Sequence, residues 1–304
     1  MKTLQEAIKY TIEQKKYQVG KMRKTHFEDP INELQGYLKE TESIGATALN
    51  LNYLTSWHHW EFLDTYLQTK ELKLEFLAKS TFLAEQANKW EFNIGLIHSH
   101  YGGAVQFQDA TIHLGQMLYL GWWDKAKDYG DLLLKMLYGK QYKGWLAKMP
   151  HSWFIMELFC KWQGIELDKS KVNYPKDMDY YGGAIANWNT QDIPDFVEYI
   201  ELLCRYHVSN SDEYDEEIEV EDGKEFFAHE FSSSDYFIFP VEILMWLTIR
   251  KKIGLSNGNL SHIGLMQLPI NQLPNFAVPY PTDDLVEQCW QKLQKDNPTV
   301  KLEL

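Results

Sequence analysis

The sequence predicts an all-α protein built of packed helical hairpins, a bundle or short α-solenoid, and three observations predict it. Apolar residues recur at helical spacing along most of the 304 residues. Strand-like alternation is confined to one acidic stretch, and the densest run of breakers lies near the end, in residues 256–282. With 44% hydrophobic residues the chain can bury a sizeable core.

Taken in order, Thr3 and Glu6 are spaced as a capping box, Leu4, Ile8 and Ile12 follow at four-residue intervals, and Gly20 stands where that helix would stop. Asp29-Pro30 reads as an N-cap followed by proline at the first helical position. Helical patterning then covers Leu51 to Gln68 and Leu72 to Trp90. Further helices are expected at Val105 to Leu120, Trp123 to Leu137, Ser152 to Trp162, Pro194 to His207, Pro240 to Ile253 and Asp283 to Leu293. Glu217 to Val220 alternates like a strand, so the acidic loop has room for a short β-hairpin. Gly258, Gly264, Pro269, Pro274, Pro279 and Pro281 make residues 256–282 a wrapping loop.

These elements suggest an N-terminal helical region, 1–100, and a C-terminal region, 101–304, in one compact unit. Tyr101-Gly102-Gly103-Ala104 recurs as Tyr181-Gly182-Gly183-Ala184. The Trp153 to Leu158 segment, ending at Gly164, is echoed by Phe239 to Leu244, ending at Gly254. An internal duplication over 101–180 and 181–260 would account for both, since stacked helical units bury one another's apolar faces.

Charge and cysteine content narrow the function. The net charge of −13 disfavours nucleic acid or an anionic membrane as partner and favours a basic one. Residues 212–225 hold nine acids and one lysine, a charge of −8 that leaves −5 for the rest. Cys160, Cys204 and Cys289 lack metal or disulfide spacing, which fits a reducing cytoplasm. The charged first 14 residues lack the apolar middle of an export signal, and no segment is apolar for long enough to span a membrane.

Candidate chemistry is sparse. His98, His100, Asp109 and His113 are the residue types that bind zinc, so a metal-dependent hydrolase is one reading, although HxH matches no established zinc spacing. His58 and His59, flanked by Trp57 and Trp60, would splay about 100° apart on a helix. Glu157 and Glu242 hold equivalent places in the two echoed helices, where paired carboxylates suggest hydrolysis and a helix-end hydrogen bond is the plainer role. No nucleophile elbow or phosphate loop occurs, and no cofactor is expected. An α-solenoid that binds a peptide in its concave face is a further reading. The acidic stretch, interleaved with Tyr214, Ile218, Phe226 and Phe227, combines charge with aromatic anchors suited to a basic partner.

The succession Asp192 to His207 (DIPDFVEYIELLCRYH), an acidic loop, Phe239 to Gly254 (FPVEILMWLTIRKKIG) and His262 to Pro274 (HIGLMQLPINQLP) resembles the helical immunity proteins of bacterial polymorphic toxin systems. The likeness is to the immunity protein 49 family and, more distantly, to the immunity proteins of PoNe nucleases. It implies a non-catalytic cytoplasmic antidote that binds a cognate toxin domain and occludes it. The expected contact residues are Asp212, Glu213, Asp215, Glu216, Glu217, Glu219, Glu221 and Asp222, facing a basic toxin surface such as a nuclease groove.

Overall fold

A computed structural model describes residues 3–98, 103–142, 146, 149–213, 216–220, 223–227 and 229–303, with the backbone alone for 216–220 and 223–227. The first helix, α1 (Leu4–Lys21), starts with the expected capping box. The Glu6 N–H donates to the Thr3 hydroxyl at 3.2 Å, and the Thr3 N–H donates to the Glu6 carboxylate at 2.7 Å. The helix ends at Lys21, one residue beyond Gly20, and after a bend at Met22 a five-residue π stretch, Lys24–Glu28, leads into α2 (Asp29–Leu38). Asp29 is therefore not a cap: the residue before it is already helical, and its carboxylate binds Lys24 Nζ at 2.8 Å. Pro30 still lies in the first turn of α2, directly after the π stretch.

The longest helices, α3 (Ile44–Thr69) and α4 (Leu74–His98), form a hairpin closed at Lys70, whose φ of 62° makes the left-handed cap. Next come α5 (Phe107–Tyr119), α6 (Trp123–Tyr138), α7 (Pro150–Gln163), α8 (Asp179–Ala186) and α9 (Ile193–Ser209). An antiparallel pair follows, β1 (Glu216–Val220) with β2 (Gly223–Phe227). After α10 (Val241–Lys252) and the single turn α11 (Gly264–Gln267), α12 (Asp284–Asp296) completes the fold. The all-α expectation stands, with the small ribbon as its one β excursion among the described residues.

The hub is α10, where every residue from Val241 to Arg250 is buried. It packs against α5, α7 and α9. Glycine allows two of the close approaches in this core. A Cβ at Gly115 of α5 would lie 2.6 Å from Val241 Cγ1, and one at Gly130 of α6 would lie 2.2 Å from the Phe159 ring of α7. Trp246 fills the layer between α10 and α9, 4.9 Å from Phe196, with its N–H donating to Trp188 O at 2.8 Å. Truncating such a side chain to alanine costs about 3–5 kcal/mol. Arg250, with no exposure, lies 3.7 Å over the Phe196 ring and donates to the carbonyls of Thr190 and Ser256 at 2.9 and 2.8 Å. Three carbonyls, counting Trp188 O at 3.4 Å, thus fix the loops either side of α9 and α10.

Residues 256–282 do wrap the helices, interrupted only by α11 and a 3-10 turn at Pro269–Asn271. Buried Asn271 donates to the carbonyls of Ile238 and Leu265 at 3.0 and 2.8 Å. The N- and C-terminal parts meet where α12 packs on α2, where Trp290 lies 4.7 Å from Trp90, and where Thr11 donates to Ser234 O at 3.2 Å. Gly103 and Ala104 lie in the loop before α5 whereas Tyr181 to Ala184 are helical; Tyr101 and Gly102 lie outside the described residues. Among the described residues, no helix is long and apolar enough to cross a membrane.

Candidate functional site

Segment 229–240, between β2 and α10, runs as a strap across five helices and makes buried hydrogen bonds to α1, α3, α5, α7 and α9. Its first anchor is Glu230. One carboxylate oxygen accepts the His151 backbone N–H at 2.5 Å and faces His151 Nδ1 at 2.9 Å, and the other accepts the Tyr206 hydroxyl. Phe231 then sits between two imidazoles, 4.9 Å from His151 and 4.1 Å from His207. The Asp235 carbonyl faces His59 Nε2 at 3.2 Å, and the Tyr236 carbonyl faces His207 Nε2 at 3.0 Å. His207 Nδ1 in turn lies 2.8 Å from the Glu242 carboxylate.

The helices bring these groups together through ordinary local rules. His207 lies on the apolar face of α9, in register with Phe196, Ile200, Leu203 and Cys204, so folding that face inward carries the imidazole with it. His151 follows Pro150 in the first turn of α7. On α5, Asp109, His113 and Gln116 share one side, with Gln116 Nε2 3.3 Å from His59 Nδ1.

Burial sets the charge states. Desolvation, with Asp235 close by, raises the Asp109 carboxyl to about 6, partly offset by the Gln106 backbone and His151. Desolvation and the neighbouring His59 lower His113 to about 3, and desolvation lowers His59 as well. Both histidines are thus neutral at pH 7. The hydroxyls of Tyr181, Tyr206 and Tyr236 are pushed upward, first by burial and then by nearby carboxylates, and stay protonated.

Ser152 Oγ lies 3.2 Å from His151 Nε2, so Ser152, His151 and Glu230 are ordered as in a serine hydrolase. Ser152 is wholly buried, however, and the N–H groups of Ser152 and Trp153 already donate to Met149 O. No substrate carbonyl reaches that hydroxyl in this conformation.

The residues expected from sequence fall in different places. His98 is exposed at the end of α4 while His113 is buried in α5, and His100 lies outside the described residues. Among the described residues, no group of three or more His, Cys, Asp or Glu side chains is arranged to hold a metal ion. Glu157 accepts from Tyr174 at 3.1 Å and pairs with Lys169, whereas Glu242 faces His207, so these two carboxylates serve separate partners. His58 and His59 do splay, one to Glu61 at 2.6 Å and one into the core.

Of the expected contact acids, Glu213 accepts the Tyr10 hydroxyl at 2.8 Å, and the Asp212 N–H donates to Phe231 O at 3.1 Å at the root of the ribbon. Glu216, Glu217 and Glu219 lie in β1, opposite Phe227, Phe226 and Lys224. Asp215, Glu221 and Asp222 lie outside the described residues. Sequence reasoning missed Glu230, Tyr206, His151 and His207; the usable signal was a histidine at helical spacing on an apolar face, as His207 is. No family model matches the chain, and no curated protein and no solved structure matches it either.

Proposed function

We propose that this protein is an antidote of the immunity-protein type, which binds a basic toxin domain in the cytoplasm through its acidic ribbon and blocks it without chemistry of its own. The observation that carries this reading is the ribbon: a stretch of charge −8 built as an antiparallel pair that joins no further strand among the described residues. Concentrated charge of one sign speeds encounter with a basic surface, and the open strand edges offer backbone hydrogen bonds once it arrives. The fixed root supports the reading too, because the Ser211–Phe231 bridge and the Tyr10–Glu213 bond hold the ribbon's base and reduce the ordering cost of binding.

The test is co-expression with the product of each reading frame adjacent to this gene, following growth and complex formation. The wild-type chain is expected to rescue growth and co-purify. Replacing the eight acids from Asp212 to Asp222 by Asn and Gln is expected to weaken binding at least about tenfold and to flatten its salt dependence. Absence of rescue by the wild type removes the antidote reading. Rescue that survives the replacements keeps it but moves the interface off the ribbon.

A further inference from the structure

A cleft of about 560 Å³ lies between α4 and α12, edged by Lys125 of α6 and by residues 280–282, and its size suits a small ligand. Its aromatic floor is fixed by the protein's own contacts. The Tyr280 hydroxyl donates to the buried Glu85 carboxylate at 2.6 Å, and the Tyr280 ring packs edge-on against Phe82 at 5.4 Å and Trp122 at 4.9 Å. The Trp290 N–H donates to Gln86 Oε1 at 2.8 Å, while its ring lies 4.7 Å from Trp90. A surface already held in place loses little freedom when a ligand settles on it.

Five charged side chains line the cleft, and the fold itself uses two of them. Lys89 pairs with Glu85 at 2.8 Å, and Asp283 pairs with Lys79 at 2.5 Å. Lys125 stands over the Tyr280 ring, 4.7 Å from its centroid, and among the described residues no carboxylate pairs with it. Asp284 and Glu287, in the first turn of α12, likewise pair with no cation among the described residues, although Glu287 accepts the Gln291 amide at 3.0 Å. Charges of both signs thus line one cleft without neutralising each other. A purely anionic ligand would be attracted by Lys125 and repelled by the two acids, and a purely cationic one the reverse. A molecule that carries both charges meets each with its opposite.

We infer that this cleft binds a small zwitterion with a large apolar side chain, an α-amino acid of the phenylalanine or leucine kind. Its carboxylate faces Lys125, its ammonium faces Asp284 and Glu287, and its side chain lies on the floor made by Phe82, Tyr280 and Trp290. The charged contacts are open to water and individually weak, so they set which ligand fits more than how tightly it is held. Neither the ribbon nor the antidote reading enters this assignment.

Titration of the full chain with L-phenylalanine, followed by NMR at the Trp290 indole N–H, is expected to saturate with a dissociation constant on the order of a few millimolar. 3-Phenylpropionate, which lacks the ammonium, and phenethylamine, which lacks the carboxylate, are each expected to bind at least about threefold more weakly. Lys125→Met is expected to weaken phenylalanine and 3-phenylpropionate by about that factor and to leave phenethylamine unharmed. Asp284→Asn combined with Glu287→Gln is expected to weaken phenylalanine and phenethylamine and to spare 3-phenylpropionate. A Trp290 resonance that does not saturate at about tenfold the expected constant overturns the inference. Equal affinity for the three probes overturns it too, because binding would then rest on apolar contact alone. So do variants that leave the order of the probes unchanged, and if a variant does not fold, the three probes on the wild type decide.

Discussion

The ribbon and the strap that carries it hold the same residue types in opposite physical situations. In residues 212–225 nine acids share one lysine, a charge of −8 within fourteen residues. A few residues later Glu230 and Glu242 are 6% and 3% exposed at their side chains, and each is met by named donors. Buried carboxylates are tolerable only with that degree of pairing, because isolated ones are strongly penalised for leaving water. A run of like charges in sequence, by contrast, adds mutual repulsion that the fold must tolerate, and an exposed pair within it contributes little to stability. The acids that the fold holds in its core are thus isolated in sequence, whereas the dense run lies in the ribbon segment.

The sharpest way to break this contrast is Glu230→Ala. It leaves the His151 backbone N–H, the His151 ring and the Tyr206 hydroxyl without their acceptor, and a loss of about 3–5 kcal/mol is expected from denaturant unfolding at pH 7. A loss below about 1 kcal/mol would mean that water replaces the carboxylate and that the strap is not an anchored element.

Acidification comes next in size, and two buried groups pull in opposite directions. His113 is held near 3 against an ordinary 6.5, so as pH falls below 6.5 the unfolded chain takes up a proton that the folded chain refuses. This costs about 2 kcal/mol by about pH 5, and His59, also lowered, adds in the same sense. Asp109, raised to about 6 from 3.8, does the reverse: the folded state gains a proton first, which stabilises it as pH falls through 6. Because Asp109 is partly exposed, that gain is only about 1 kcal/mol by about pH 5. The histidines win, so melting temperature is expected to fall between about pH 7 and 5, and His113→Gln to remove most of that fall. Asp109→Asn is expected to raise stability by about 1–2 kcal/mol at pH 7.5, where the wild-type carboxyl is ionised against its surroundings, and to do little at about pH 5. A variant equally stable at both pH values would show that Asp109 reaches solvent freely.

Much of the fold was legible because it is local. The Thr3 capping box, the apolar periodicity of α4 to α7, and the left-handed glycines Gly164 and Gly254 that close α7 and α10 are all written within a few residues. Helix α8 was not legible, since it is only eight residues long and holds two glycines, which lower helix propensity, and the π stretch after α1 was hidden because Asp29-Pro30 imitates a fresh start. The buried site was illegible for a different reason. Glu230 meets His151 across 79 residues, Glu242 meets His207 across 35, and His59 meets the Asp235 carbonyl across 176. No spacing rule covers such distances, so short-range spacing directed attention instead to His98 and His113, of which one is exposed and the other buried.

The smallest effect sharpens the boundary between the two regions, and it falls on Glu213. This acid belongs to the dense run by sequence, yet it accepts the Tyr10 hydroxyl of α1, which in turn receives Gln14 at 3.1 Å. Glu213→Gln keeps an acceptor in place but removes the charge that strengthens the bond, so a loss of about 0.5–1.5 kcal/mol is expected by thermal or urea unfolding. Glu219→Gln, in the ribbon itself, is expected to change stability by less than about 0.5 kcal/mol. Affinity for a basic partner is expected to reverse this order, with Glu219 the more sensitive position. If both substitutions proved silent in stability and equal in binding, the ribbon would begin at residue 212 and Glu213 would belong to its contact face. If Glu213→Gln alone is destabilising, the anchored part of the molecule extends to that residue, and the free acidic surface starts beyond it.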